Sequence, residues 1–362
     1  MQAAKEKIAV VLPNHLGDVV MATPALRALR RGRPEAEIIA VIQEILAPIL
    51  GGCPWIDRVW THRIYSAGGQ LARLGRRWAV GKQLKGTDCM IVLPNSFSSA
   101  LLAAASRAPC RVGYRRNARG WLLTDPLPPP REGGKRVPIA MERYYLDLVC
   151  RLGCLDTGTS LELFTDPGAE RACDVLFAEH GIESTRPLVC LAPGAGFGPS
   201  KIWPLSYVAE VARALLDDGL QVALVHAPSE QALADEILAL MGSEPVPARL
   251  GGEGMDLSLL KSVLARANLL ICNDAGARHI AAAFQVPTLV LMGPTSIRYT
   301  NLNLKLTRLL REPVSCSPCQ LKECPIDHRC MTRLTPSRVI DEAHAALSNE
   351  GWRGDIELEF GS

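Results

Sequence analysis

Short apolar runs alternate with amphipathic stretches along nearly the whole chain, and the alternation fades once and restarts. "KIAVVLP", "AEIIAVIQ" and "DCMIVLPNS" read as buried strands. "TPALRALRRGRP" reads as a helix with Thr23 as its N-cap, Pro24 at the first helical position and Pro34 beyond its end. "SSALLAAASR" is a further helix, and the polar, proline-rich "TDPLPPPREGGKR" loops out before the helix "PIAMERYYLDLVCRLG". From about 156 to 186 the pattern weakens into what reads as a connector. Then "PLVCLAP", "LQVALVHA", "NLLICND" and "VPTLVLMG" return as strands, between the helices "LSYVAEVARALLDDG", "SEQALADEILALMG", "LSLLKSVLARA" and "ARHIAAAF". Strand–helix alternation of this kind implies parallel sheets with right-handed crossovers. The expectation is an α/β chain of two doubly wound, Rossmann-like domains, 1–165 and 166–362, with ligands at the strands' carboxyl ends in the cleft between them. No internal repeat or long low-complexity tract is evident.

Composition narrows the class. At 362 residues, 48% hydrophobic and 21% charged, the chain suits a soluble protein with a sizeable core. No stretch approaches the ~18 apolar residues of a membrane span, and Lys5, Glu6 and Lys7 precede too short an apolar run for a signal peptide. A cytoplasmic protein without a transmembrane segment is expected. The net charge of +3 hides an asymmetry: 23 Lys and Arg face 13 Asp and Glu in residues 1–165, and 17 face 24 in the remainder. The first half is therefore +10 and the second −7. Solvated surface charge is one reading; an acidic partner on the basic side is the other. Stretches such as "YRRNARG" interleave few aromatics, which argues against single-stranded nucleic acid. Of the 12 cysteines, eight are scattered through apolar segments and read as small core residues.

Three loops at the carboxyl ends of expected strands are unusually polar: "PNHLGDVVMATPAL", "PGAGFGPSKIWP" and "NDAGARHIAAA". Asp18, in the first, is either a residue favoured at a helix N-terminus or a general base aimed into the cleft. The second matches neither a P-loop nor G-x-G-x-x-G, since Pro199, Ser200 and Lys201 follow Gly198. Bare backbone N–H groups with a closing lysine still attract an anion, although an ordinary strand-to-helix turn looks the same. In the third, Asp274 and Gly276 precede a helix whose N–H groups are suited to a diphosphate, and His279 by itself reads as a core histidine.

Together, "GDVVMATPALRAL", "VGY…RGWLLTDPLPPP", "PGAGFGPSKIWP" and "NDAGARHIAAAFQVPTLVLMGPT" resemble glycosyltransferase family 9, the ADP-heptose:lipopolysaccharide heptosyltransferases, and most of all the heptosyltransferase II branch. The resemblance covers nearly the whole chain. It implies a GT-B fold, with acceptor on the N-terminal side and donor on the C-terminal side. It implies an inverting transfer from ADP-heptose to the inner core of lipopolysaccharide, with no cofactor required for catalysis. The acceptor it implies is an acidic lipid A–Kdo/heptose glycolipid at the cytoplasmic face of the inner membrane, reached by an enzyme that is cytoplasmic or peripheral there. Asp18 matches the family's Gly-Asp base, and Lys201 its cation on the leaving diphosphate. Gly194, Gly196, Ser200, Lys201, Glu230, Asp274, Gly276 and His279 are the donor-binding residues the resemblance implies, with Glu230 on the nucleotide ribose. Arg115, Arg116 and Arg119, the densest basic cluster of the first half, are the acceptor-binding candidates. Where the family carries Ser or Thr between Asp and Gly, this chain has Ala275, which removes one hydroxyl from the donor side.

Rival readings remain at this point: a transferase of the same fold acting on a protein or another glycan, a fold relic that binds without catalysis, and a metal or redox protein. The last rests on "CSPCQLKECPIDHRC", where Cys316, Cys319, Cys324 and Cys330 are spaced C-x2-C-x4-C-x5-C beside His328. Four thiolates in a short loop suit a structural zinc or iron ion; four reduced thiols or a disulfide formed on oxidation are the alternatives.

Overall fold

One exposed lysine and the four buried residues after it, Lys7–Val11, form β1 at the centre of the first sheet of a computed structural model. The structure describes residues 5–64, 69–242, 245–348 and 352–355. The chain divides into two compact units, Met1–Glu162 and Leu163–Ser362.

In the first unit β1 is followed by α1 (Leu16–Met21), α2 (Thr23–Gly32), β2 (Glu37–Gln43), β3 (Arg58–His62), α3 (Gln70–Gln83), β4 (Cys89–Val92), α4 (Phe97–Ser106), β5 (Cys110–Tyr114) and β6 (Asp125–Leu127). A small hairpin, β7 (Arg131–Glu132) and β8 (Lys135–Arg136), then leads to α5 (Met141–Cys150). The six main strands are parallel, in the order β3-β2-β1-β4-β5-β6. Helices cover both faces of such a sheet, which is why its central strands are uninterrupted apolar runs.

The second unit opens with α6 (Pro167–Glu179) and continues through β9 (Leu188–Ala192), α7 (Leu205–Asp217), β10 (Gln221–His226), α8 (Gln231–Met241), β11 (Ala248–Gly251), α9 (Leu257–Ala265), β12 (Leu269–Asn273), α10 (Gly276–Ala283), β13 (Thr288–Leu291) and β14 (Thr307–Leu310). It ends with α11 (Arg329–Thr332) and α12 (Pro336–Ser348). Its strand order, β11-β10-β9-β12-β13-β14, is that of the first unit repeated, with no sequence repeat to announce it. Trp203, 1% exposed, sits in its core, and its indole N–H donates to Leu334 O at 2.9 Å. Truncating so large a buried side chain costs about 3–5 kcal/mol.

Three local expectations are corrected. The stretch read as a connector holds α6, capped by Asp166, whose carboxylate accepts from Gly168 and Ala169 N–H, with Pro167 in the first turn. Only Ala169 and Cys173 of that helix are fully buried, so its apolar periodicity is faint. Its place is held by Arg266 of α9, paired with Glu170 and Asp174 at 2.5 Å each. Thr23 is no cap: α1 runs into α2, Ala22 takes the cap position, and the Thr23 hydroxyl donates back to Val20 O at 2.8 Å. The proline-rich loop also contains an edge strand, β6, and the β7–β8 hairpin.

Candidate active site

In each unit the strand order reverses at one place, between β1 and β4 and between β9 and β12. Loops that leave those strands diverge there and open a crevice at the carboxyl ends.

In the second unit the glycine-rich loop follows β9 and Asp274 follows β12. Lys201 Nζ donates to Asp274 Oδ2 at 2.7 Å and to Asp274 O at 2.8 Å. The other carboxylate oxygen accepts from Arg278 Nη1 at 2.8 Å, and the Thr295 hydroxyl adds a bond of 2.7 Å to Oδ2. Arg278 is held further by the Thr300 hydroxyl and carbonyl at 3.3 and 3.1 Å. Burial by itself raises a carboxyl pKa, but Arg278, Lys201 and these hydrogen bonds outweigh it and hold Asp274 well below the usual carboxylate range. The Asp274 side chain is thus a clamp that fixes two cations. The Lys201 ammonium also lies 5.2 Å from the Phe197 ring centroid.

Gly194 is glycine because Glu230 lies against it: a Cβ there meets the Glu230 carboxylate at 2.0 Å. Glu230 Oε2 accepts from Ala227 N–H at 3.0 Å, which fixes the carboxylate beside the loop. Gly196 is exposed, with open space around it. Ser200 is buried, and its hydroxyl donates to Leu321 O at 2.6 Å, so it ties the loop down and does not face solvent. Ala275 caps α10 without a side-chain bond, and the N–H groups from Gly276 onward point out of that first turn. His279 is buried inside α10; burial, then the Arg278 charge, push its pKa down to about 3 and keep the ring neutral.

The cysteine-rich segment has a different place from the one the spacing suggested. Among the described residues, no three His, Cys, Asp or Glu side chains gather closely enough to hold an ion. Cys316 and Cys319 are exposed while Cys330 is buried, and a Cβ at Gly293 meets Cys330 Sγ at 3.1 Å. His328 Nε2 is engaged with Ser200 O at 2.7 Å. The zinc or iron reading therefore has no support in this geometry. What the segment does is brace the glycine-rich loop: Lys322 O accepts from Ser200 N–H at 3.0 Å and lies 2.6 Å from where a Cβ of Gly198 falls.

In the first unit Asp18 lies in the first turn of α1, partly buried. Burial raises its pKa above the ordinary 3.8, while the His15 charge and a hydrogen bond from Tyr145 act in the opposite direction. Arg115 is exposed and Arg116 half-buried, the latter reaching the Tyr144 hydroxyl. Arg119 corrects the expectation of a surface cation, being 0% exposed. Its guanidinium donates to Tyr114 O at 2.9 Å, Ser96 O at 3.2 Å, the Ser99 hydroxyl at 3.0 Å, and Pro94 O. Burial lowers the Arg119 pKa to about 10, so it stays charged at neutral pH and organises the loop after β4.

Sequence reasoning passed over Arg278, Thr295, Asn95 and the tyrosines of α5. One signal was available: β1 and β4 both run into Leu-Pro-Asn, Leu12 to Asn14 and Leu93 to Asn95. Asn14 Oδ1 accepts from Gln43 and Asn95 Oδ1 from Tyr144, at 3.0 and 3.1 Å. The exposed pair Phe97–Trp121, with ring centroids 6.1 Å apart, stands beside the same loop.

With this geometry in hand, comparison with known proteins adds three findings. The family model described as Glycosyltransferase family 9 (heptosyltransferase) matches residues 77–329. Lipopolysaccharide heptosyltransferase 2 of Salmonella typhimurium is 30% identical over 95% of this chain and 99% of its own length, and the Escherichia coli K12 protein of that name is equally similar. The solved structure of E. coli ADP-heptose lps heptosyltransferase II superposes with a TM-score of 0.79 at 28% identity, covering 96% of this chain and all of that one. The match takes in both α/β units, as in the GT-B fold.

Proposed function

Because the chain belongs to glycosyltransferase family 9, we propose that it moves heptose from ADP-heptose to the inner core of lipopolysaccharide, inverting the anomeric centre without a catalytic metal. The observation that carries this reading is the Asp274 clamp, which holds Lys201 at the carboxyl end of β9 beside the open N-terminus of α10. In the reaction an acceptor hydroxyl attacks the anomeric carbon, the bond to the diphosphate oxygen breaks, and ADP departs with that electron pair. Charge on the leaving diphosphate grows as the bond breaks, so a fixed ammonium and N–H dipoles act more strongly on the transition state than on the bound donor. Lys201 and the N–H groups from Gly276 supply them. The loop at Gly194 and Gly196 passes close to the donor, with Glu230 placed for the nucleotide ribose.

Asp18 takes the proton of the acceptor hydroxyl. A carboxylate whose pKa burial raises is a better proton acceptor than an ordinary one. Arg115 and Arg116 meet the acid groups of the acceptor, and Arg119 holds the loop that presents them. An acceptor carried by lipid A brings the enzyme to the cytoplasmic face of the inner membrane. No helix among the described residues is long and apolar enough to cross a membrane, so the association proposed is peripheral.

Thermal shift against ADP-, UDP- and GDP-sugars tests the donor assignment, because a ligand that binds only the folded state stabilises it by about 2.7 kcal/mol at 100 times its Kd. ADP-heptose is expected to raise Tm, and Lys201→Ala to abolish most of the rise. Equal shifts with UDP- or GDP-sugars overturn the donor; no turnover with ADP-heptose and an inner-core acceptor overturns the reaction.

A further inference from the structure

Helix α3 packs Val80 and its cap Leu84 toward the core and carries a second apolar stripe on its outer side. It packs on α4 through Gly81, where a Cβ falls 2.2 Å from Leu102 O, and through the buried Arg77. Leu71, Ala72, Gly75, Trp78 and Ala79 are all exposed, Leu71 by 85% and Trp78 by 42%. Their spacing of three, four and seven places them on one stripe, with Leu71 and Trp78 roughly 10 Å apart along the axis. Exposed Lys82 continues the stripe one turn on, exposed Lys85 lies just beyond the helix, Arg73 stands on the far side, and residues 69–86 hold five Lys and Arg without a single Asp or Glu.

We propose that α3 is a membrane-docking helix that lies in the headgroup region of an anionic bilayer, with Leu71 and Trp78 buried among the lipids. Isolated exposed apolar residues need no explanation, but an exposed apolar stripe on a helix whose only charges are cations does. A two-fold pairing with a second copy would bring two cationic, acid-free stretches together, which like-charge repulsion opposes. An anionic lipid surface satisfies both features: the headgroups neutralise the cations, and the acyl boundary takes the tryptophan and leucine. The inference rests on the lipid-borne acceptor proposed above, and names the element that brings the enzyme to it.

The test is flotation of the full chain with vesicles of 7:3 phosphatidylethanolamine to phosphatidylglycerol, and with pure phosphatidylcholine, neither containing acceptor. The parent is expected to float with the anionic vesicles only. Leu71→Ala/Trp78→Ala, at exposed positions that leave Tm unchanged, is expected to weaken binding at least about tenfold. Each of Lys82→Gln and Lys85→Gln is expected to weaken it about fivefold. Turnover on a delipidated, water-soluble acceptor is expected to stay at the parental level in every variant, while turnover on acceptor in vesicles falls. A parent that turns over soluble acceptor yet never floats overturns the docking helix and leaves the reaction standing. Flotation without turnover on any acceptor does the reverse. A dimer in sedimentation that Leu71→Ala/Trp78→Ala dissolves, without flotation, assigns the stripe to a second copy and also overturns the proposal.

Discussion

A single carboxylate is asked to do opposite things at two positions. Asp18 is pushed up by burial and can take a proton; Asp274 is held down by two cations and cannot. Asp18→Asn is expected to keep donor binding while turnover falls by ~10²–10⁴. Since the base works ionised, the acid limb of kcat/KM against pH should follow the upward direction of the Asp18 shift, and Tyr145→Phe should move it higher still by removing a bond to the ionised form. A turnover within twofold of the parent for Asp18→Asn sinks the assignment. Asp274→Asn leaves Lys201 and Arg278 buried without their counter-charge, a loss of about 3–5 kcal/mol. The sign with pH follows from the shift. The folded carboxyl titrates far below its unfolded value of 3.8, so its stabilisation is complete above that pH and drains away as pH falls through the folded value. Urea midpoints of parent and variant should therefore differ most near neutrality and converge progressively below about pH 4. His279 adds to acid lability from another range: neutral inside the fold, with a pKa of about 3 against 6.5 unfolded, it stabilises above 6.5 and loses that contribution as pH falls toward 3.

At the scale of elements, the glycine-rich loop answers to two neighbours, and its glycines should respond differently. A Cβ at Gly194 meets the tip of the flexible Glu230 side chain, whereas one at Gly198 meets the backbone carbonyl of Lys322, at a φ of +155. Gly194→Ala is expected to displace Glu230 and raise the donor KM several-fold with Tm almost unchanged. Gly198→Ala is expected to pry the loop from the cysteine-rich segment and lower both Tm and kcat, a loss of roughly 1–3 kcal/mol. Equal Tm losses in the two variants contradict this division. The central strands of both sheets were readable from their apolar runs, but β3, β5, β6, β11 and β14 were not, because each has five residues or fewer and polar, proline or glycine residues interrupt its apolar run. Likewise α6 was passed over although its Asp-Pro start is a plain helix signal, since its partner Arg266 lies nearly a hundred residues away.

For the whole molecule, the two units have the same strand order, and the proposed reaction gives them different duties. ADP-heptose is expected to slow hydrogen exchange in residues 193–203 and 273–279 and to leave 94–99 unchanged, with acceptor producing the converse. Protection by donor confined to the first unit overturns the division of labour. The sequence alone determined the doubly wound class, the position of the polar loops at strand ends and the likeness to family 9, because apolar period, turn residues and loop motifs are all local. Tertiary structure decided which of the named side chains are free to act. Arg119 and Ser200 turned inward, Asp274 became a clamp, and the cysteine-rich segment became a brace through its Leu321 and Lys322 carbonyls, without a metal site among the described residues. A charged or polar residue in a loop reads the same in sequence whether it faces water or a buried carbonyl. Its partners come from chain segments 20 to more than 100 residues away, as with Arg119 to Ser99 and Ser200 to Leu321, and only the packed fold brings them within reach.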